Sequence, residues 1–283
     1  MTGGSGFVGH AFDASLRDRF EIEHLSFRNE PEEMAIGAVD SVVHFAGVVH
    51  QMQGAPESLY EAVNVAKTVA LAKKAKAGGV KQFVFMSSIK ACGEESERPY
   101  TEQTACHPAD AYGMSKQRAE QQLRALEDGS FKVAVVRAPL VYGEGVKANM
   151  LSLIRLVERF PVLPLGGIHN KRSMVYIGNL THLVGEVVRQ QKSGVFLAAD
   201  DAPVSTPVLV QSIAEALGKR VRMVSLPFFA SLLQMAKPAL FQRLYKSLYV
   251  DNTQTVETLG LKNPYTFDEG VRRMVDRYQK DRD

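Results

Sequence analysis

The first half of the chain alternates short, nearly continuous apolar runs with longer stretches of mixed composition. Asp40–Ala46 (DSVVHFA), Gln82–Ser88 (QFVFMSS) and Lys132–Arg137 (KVAVVR) read as strands, and Gly194–Ala199 (GVFLAA) as a later one. Strands that are hydrophobic at almost every position, not every second one, are covered on both faces. Glu57–Lys76 and Ala111–Leu126 have helix composition. The alternation predicts an α/β fold in which helices cover a parallel sheet. After about residue 144 the pattern changes to helical segments separated by Pro- and Gly-marked loops, such as Pro161–Gly167 and Pro203–Pro207. Residues 1–143 therefore read as one domain to which 174–200 return, and 144–283 mainly as a smaller lobe.

The beginning breaks the pattern. Met1 is followed at once by Thr2-Gly3-Gly4-Ser5-Gly6-Phe7-Val8-Gly9, and a glycine loop of this kind normally follows a buried strand. The first strand is missing from the sequence. Three explanations are open: a misplaced start, a truncated chain, or a sheet lacking a central strand. Phe20–Phe27 can form a strand, but the stretch between it and Asp40 is too short for another strand–helix unit.

Composition narrows the class. With 283 residues, 45% apolar and 23% charged, the chain can bury a sizeable core. A net charge of +3 with scattered basic residues does not point to nucleic acid. Leu226–Val250 is strongly apolar but broken by Lys237, Pro238, Arg243 and Lys246, so it reads as one or two packed amphipathic helices and not as a membrane span. Cys92 and Cys106 have neither disulfide-framework nor metal-ligand spacing, and two free thiols fit a reducing cytoplasm. His10, His50, His107, His169 and His182 lack ligand spacing, and no metal site is expected.

Three elements carry chemistry. Gly3, Gly6 and Gly9 let the backbone turn tightly beside a pyrophosphate, which a following helix N-terminus can bind. Tyr112 and Lys116, four apart, share one helical face, so the ammonium can stabilise a tyrosinate and make Tyr112 a general acid/base. Ser87-Ser88 end a predicted strand, where ligands of open α/β sheets bind. Taken singly, these are also what an ordinary turn, a surface pair and a strand-end turn look like.

Together they form an ordered series: Thr2–Gly9, His44–Gly47, Asn64–Thr68, Ser87–Gly93, Tyr112–Lys116 and Arg137–Gly143. Over nearly the whole chain this series resembles the NAD-dependent epimerase/dehydratase family, the extended short-chain dehydrogenases. The resemblance implies a Rossmann-type, doubly wound parallel sheet with a smaller C-terminal substrate lobe. It implies NAD or NADP as cofactor, Tyr112 as base, Lys116 as its partner at the nicotinamide ribose, and Ser88 as the catalytic serine. Phe7 and Val8 would meet the diphosphate; Phe45, Ala46 and Gly47 would line the cofactor with help from Asn64; Pro139 would sit by the nicotinamide. Asn149 and Arg172 resemble the family's nucleotide-sugar contacts, Arg172 as a two-pronged donor to the substrate diphosphate. The run from Val146 to Leu180 is most similar to bacterial UDP-hexose 4-epimerases and 4-ketohexose reductases. Dehydration is disfavoured, because the acidic pair of the 4,6-dehydratases is replaced by Ile89 and Lys90, while Glu94 and Glu95 read as solvated loop residues.

Three functions stay open: a 4-epimerase recycling bound NAD, a 4-keto-sugar reductase, and a cofactor-binding sensor or interaction protein without catalysis. Arg28, where NAD enzymes usually place an acid, could take a 2′-phosphate or simply be solvated. In many relatives the helices around 64–76 and 112–126 pair into a homodimer, which the mixed faces here leave open.

Overall fold

A computed structural model describes residues 1–49 and 55–282, which leaves His50 outside the described residues. The strands are β1 (Ser41–His44), β2 (Gln82–Ser88), β3 (Lys132–Ala138), β4 (Leu140–Tyr142), β5 (Val162–Leu163), β6 (Met174–Tyr176), β7 (Gly194–Leu197) and β8 (Arg222–Met223). The main sheet is parallel in the order β1-β2-β3-β7, and Gly194–Leu197 pairs with β3. Two small parallel pairs, β4 with β6 and β5 with β8, form separate two-stranded sheets.

Helices follow the sequence pattern. They are α1 (Phe7–Leu16), α2 (Glu57–Tyr60), α3 (Thr68–Ala77), α4 (Ala111–Arg124), α5 (Ala148–Arg159), α6 (Ile177–Arg189), α7 (Thr206–Ala216), α8 (Phe229–Ala236), α9 (Pro238–Tyr245), α10 (Thr253–Leu259) and α11 (Phe267–Lys280). Between α2 and α3 the rod widens into a π-helical stretch, Glu61–Lys67, which carries Asn64. Such local widenings often sit at functional sites.

Side-chain alternation along the strands divides the core in two. Val43, Val84, Ala134 and Val136 face the layer that contains α1, α6 and the lobe, while Val42, Phe83, Phe85, Val133 and Val135 face α3 and α4. This explains why the strands read as unbroken apolar runs.

Thr2 takes a place beside β1. Thr2 bridges Leu25 on one side and His44 on the other, both in parallel sense. The Thr2 N–H donates to the Val43 carbonyl (3.0 Å), and the Leu25 N–H donates to the Met1 carbonyl (2.7 Å). Phe20–Phe27, expected as a strand, contributes Leu25 as a single bridge because it has so short a neighbour to pair with. Next to Leu25 there is no further strand among the described residues, only a 3-10 turn at Pro31–Glu33.

His44 secures this abbreviated edge. It is fully buried, with Nδ1 2.8 Å from Thr2 Oγ1 and Nε2 3.0 Å from Thr68 Oγ1. Burial, aided by the nearby Lys116 charge, pushes its pKa down from 6.5 to about 3. The unfolded chain therefore takes up a proton below pH 6.5 that the folded chain refuses. Stability present above pH 6.5 is lost as the pH falls toward 3, by at most about 1.4 kcal/mol per pH unit. His44→Gln should be less stable at pH 7 but should lose less stability between pH 6.5 and 4 than the wild type. Urea unfolding across that range measures both; equal slopes would refute the assignment.

Candidate active site

The site begins where Thr2 leaves the sheet. Gly3 turns with φ +74°, and a Cβ there would stand 2.6 Å from the Ala46 nitrogen. A Cβ on Gly9 would stand 2.2 Å from the Gly3 carbonyl oxygen, so α1 can pack on the loop only if residue 9 is glycine. Gly6 precedes α1, and its N–H donates to Gly3 O at 2.9 Å. The first bond along the helix runs from the His10 N–H to Gly6 O. The N–H groups of Phe7, Val8 and Gly9 thus lie at the positive helix end, ahead of that bond, and suit an anion.

From this loop a cleft of about 790 Å³ extends across the carboxyl ends of the strands. Gly3, Gly6, Phe7, Val8, Gly9, Arg28, Phe45, Ala46, Gly47, Ser88, Tyr112, Lys116 and Pro139, all named from the sequence, line it. The volume and the glycine-lined phosphate cradle fit a dinucleotide. Asn64 is the exception, since it is not part of the lining. Its side chain accepts from the Val48 N–H (2.8 Å) and donates to the Val48 carbonyl (2.9 Å) and to Ser115 Oγ (3.1 Å). It holds the Phe45–Val48 loop, which lines the cleft, against α4.

The two serines divide by strand alternation. The Ser87 hydroxyl bonds the buried Glu120, which Arg137 grips at 2.7 Å. The Ser88 hydroxyl bonds the Tyr112 side chain and also accepts from the Lys90 N–H at 3.2 Å. Asp110 starts α4 by accepting from the Gly113 N–H (2.7 Å), which sets Tyr112 in the first turn and Lys116 one turn on. Sequence reasoning passed over this cap, although an Asp immediately before a helical stretch is a readable signal.

The electrostatics differ from the expectation that Lys116 lowers the Tyr112 pKa. The ammonium lies 5.9 Å from the Tyr112 ring centre, sits 4.5 Å from the Phe85 ring centre and donates to the Met86 carbonyl at 2.9 Å. Burial pushes the phenol up to about 12; the Ser88 hydrogen bond opposes the rise, while Asp110 and Tyr60 add to it. Lys116 is itself pushed down to about 8 by burial, with Glu120 opposing. Desolvation outweighs charge pairing for both groups. At neutral pH the phenol is a proton donor and the lysine a cation.

The lobe gathers a second cluster outside the cleft lining. Asn149 follows Ala148, which is held at φ +54°, and its Oδ1 accepts from Arg243 Nη1 at 2.9 Å. Arg172 donates to the Lys246 carbonyl at 3.2 Å, and burial followed by the Arg243 charge lowers its pKa. Two neighbouring guanidinium groups favour a polyanion such as a diphosphate. Arg243, on α9, was not singled out from the sequence because it belongs to no motif and the fold alone brings it to Asn149. Glu94 needs correction: it is half-buried and ion-paired. It pairs with Lys90 at 2.5 Å, and Lys90 in turn holds Asp110 at 2.7 Å. Glu95 is exposed, 3.6 Å from Lys246. Ile89 is buried, and no carboxylate lines the cleft among the described residues.

A phosphate cradle at the start of a parallel sheet, with a Ser–Tyr–Lys set at its carboxyl edge, defines a dinucleotide-dependent oxidoreductase of the extended short-chain dehydrogenase class. The chain belongs to the NAD dependent epimerase/dehydratase family, whose model matches residues 1–197, and it is an NAD(P)-dependent enzyme. It is 37% identical to a UDP-glucose 4-epimerase of Vibrio cholerae, across 96% of this chain and 93% of that protein. It is 25% identical to an N-acetyl-alpha-D-glucosaminyl-diphospho-ditrans,octacis-undecaprenol 4-epimerase of Escherichia coli O157:H7, across 97% and 93%. Its fold matches the crystal structure of a UDP-glucuronic acid 4-epimerase from Bacillus cereus in complex with NAD, at a TM-score of 0.77 and 16% identity over 99% and 97% of the two chains.

Gly9→Ala should weaken dinucleotide binding by at least about tenfold, because its methyl group forces α1 away from the loop. Calorimetric titration with NAD and NADP checks this. Unaltered affinity for both would show that the cradle is not where the diphosphate binds.

Proposed function

We propose that this enzyme carries out oxidation–reduction at C4 of a UDP-linked hexose. The observation that supports this reading is the Ser88–Tyr112 hydrogen bond, with Lys116 one helical turn away, in the cleft that begins at the glycine loop. When bound, the nicotinamide supplies or takes up the hydride. Tyr112 gives a proton to the C4 oxygen in the reducing direction and removes one in the oxidising direction. Ser88 hydrogen-bonds the same oxygen and orients it. Lys116 provides positive charge beside the phenol and a donor for the ribose. Asn149, Arg172 and Arg243 hold the substrate diphosphate, a role compatible with the UDP-glucose 4-epimerase of Vibrio cholerae as a full-length relative.

One observation favours reduction of a 4-keto sugar over redox-neutral epimerisation. Arg28 is exposed at the end of the cleft that Ser26 and Phe27 also line, and no carboxylate lines the cleft among the described residues. A guanidinium suits the 2′-phosphate of NADP, whereas NAD enzymes usually place an acid there. A phenol pushed up to about 12 is also already protonated for the reductive step.

Tyr112→Phe should lower turnover by about a hundredfold or more while dinucleotide affinity stays within about twofold. Unchanged turnover would refute the assignment. Offered UDP-hexoses and their 4-keto derivatives with both cofactors, a reductase releases oxidised cofactor in stoichiometry with product. An epimerase interconverts UDP-sugars without net oxidation. Cofactor binding with no turnover on any of them would favour the non-catalytic reading. Arg28→Ala should reduce an NADPH-over-NADH preference by about tenfold; an unchanged ratio would remove Arg28 from cofactor selection.

A further inference from the structure

The α8–α9 hairpin is poorly buried. Neither helix buries any of its residues, although both are amphipathic in sequence. Phe228 is 86% exposed and Met235 84%, with Leu226, Leu232 and Leu240 also exposed. The expectation that this stretch packs as amphipathic helices is met only in part: the helices form and pack on each other, and one apolar surface stays uncovered. Apolar side chains scattered singly over a surface are ordinary; five within fifteen residues make a patch that calls for a partner.

Charge identifies that partner. From Ala216 to Val250 the chain carries Lys219, Arg220, Arg222, Lys237, Arg243 and Lys246 and no Asp or Glu. Arg243 is engaged with Asn149, Lys246 lies 3.6 Å from Glu95, and Lys219 donates to the Glu158 carbonyl. Arg220, Arg222 and Lys237 are exposed and make no ion pair among the described residues. Lys237 sits at the junction of the two helices, between Met235 and Leu240. In a two-fold pairing of copies through this hairpin, the same cations would face each other. An anionic lipid surface neutralises them and accepts the apolar side chains at headgroup depth. No helix among the described residues is long and apolar enough to cross a membrane, so contact would be interfacial.

We propose that the α8–α9 hairpin docks this enzyme on an anionic phospholipid surface, with Phe228, Leu232 and Met235 entering the headgroup layer and Arg222 and Lys237 pairing with lipid phosphates. The proposal goes beyond the sugar chemistry and does not depend on it. Docking on this face would leave the glycine-loop cleft, whose lining includes no residue of the hairpin, free to bind dinucleotide. It would bring Arg243, on α9, close to the membrane.

Co-sedimentation of the full chain with vesicles tests it. The protein should pellet with phosphatidylcholine vesicles containing about one third phosphatidylglycerol, pellet far less with pure phosphatidylcholine, and be released by about 0.5 M salt. The double variant L232E/M235E should lose partitioning by about tenfold while keeping dinucleotide affinity. If that variant fails to fold by circular dichroism, R222E/K237E, at exposed unpaired positions, carries the same expectation. Failure to pellet with the anionic vesicles, or undiminished pelleting of a folded variant, would overturn the proposal. So would a wild-type dimer that L232E/M235E converts to monomer, which would assign the face to a second copy of the chain. Dinucleotide titration and turnover are read separately, so a failed sugar assignment would not be mistaken for failed docking.

Discussion

The buried imidazole of His44 is the tie on which the site depends. With one nitrogen on Thr2 and the other on Thr68, it joins the two residues that lie between Leu25 and β1 to the helix behind β1. A strand pair as short as Thr2 with its neighbours has few ladder bonds to hold its place. The side-chain bonds of His44 supply the missing restraint, and burial keeps the ring uncharged. The position of Thr2 then fixes where Gly3 turns, where α1 starts and where its N–H groups point.

Close packing transmits that placement. Gly9 fits beneath the Gly3 carbonyl without a side chain, and Asn64 clamps Val48 so that Phe45–Gly47 form the opposite wall of the cleft. On the far side, Ser87 bonds Glu120 in the buried pair with Arg137, anchoring β2 to α4 and fixing the phase in which Ser88 meets Tyr112. A buried ion pair of this kind adds little net stability, but breaking it by removing one partner is costly. Its contribution here is to register. Ser88 and Tyr112 are positioned by groups that do not touch them.

Burial then sets the chemistry. Tyr112 and Lys116 are both displaced toward their neutral forms, and the Ser88 hydrogen bond is what draws the phenol back. Beyond the cleft, Asp110, Lys90 and Glu94 form a chain of charge contacts from the start of α4 toward Arg172. The start of α4 and the Asn149–Arg172–Arg243 cluster are thereby held in one electrostatic framework.

The sequence by itself determined the parallel α/β class, most of the sheet strands and many of the residues that line the cleft. Each of these is written locally, as an apolar run, a glycine spacing or a four-residue step on a helix, and local geometry carries such signals without help. Gln82–Ser88 was legible to the residue for this reason, and so was the helical step from Tyr112 to Lys116. Only the tertiary structure decided that Thr2 bridges Leu25 and His44, that Asn64 holds Val48, and that Glu94 is ion-paired and half-buried. It also brought Arg243 to Asn149 and set desolvation above charge pairing at Tyr112. These are contacts and burials between residues far apart in the chain. Their energies depend on what surrounds a group in three dimensions, which no spacing along the chain encodes.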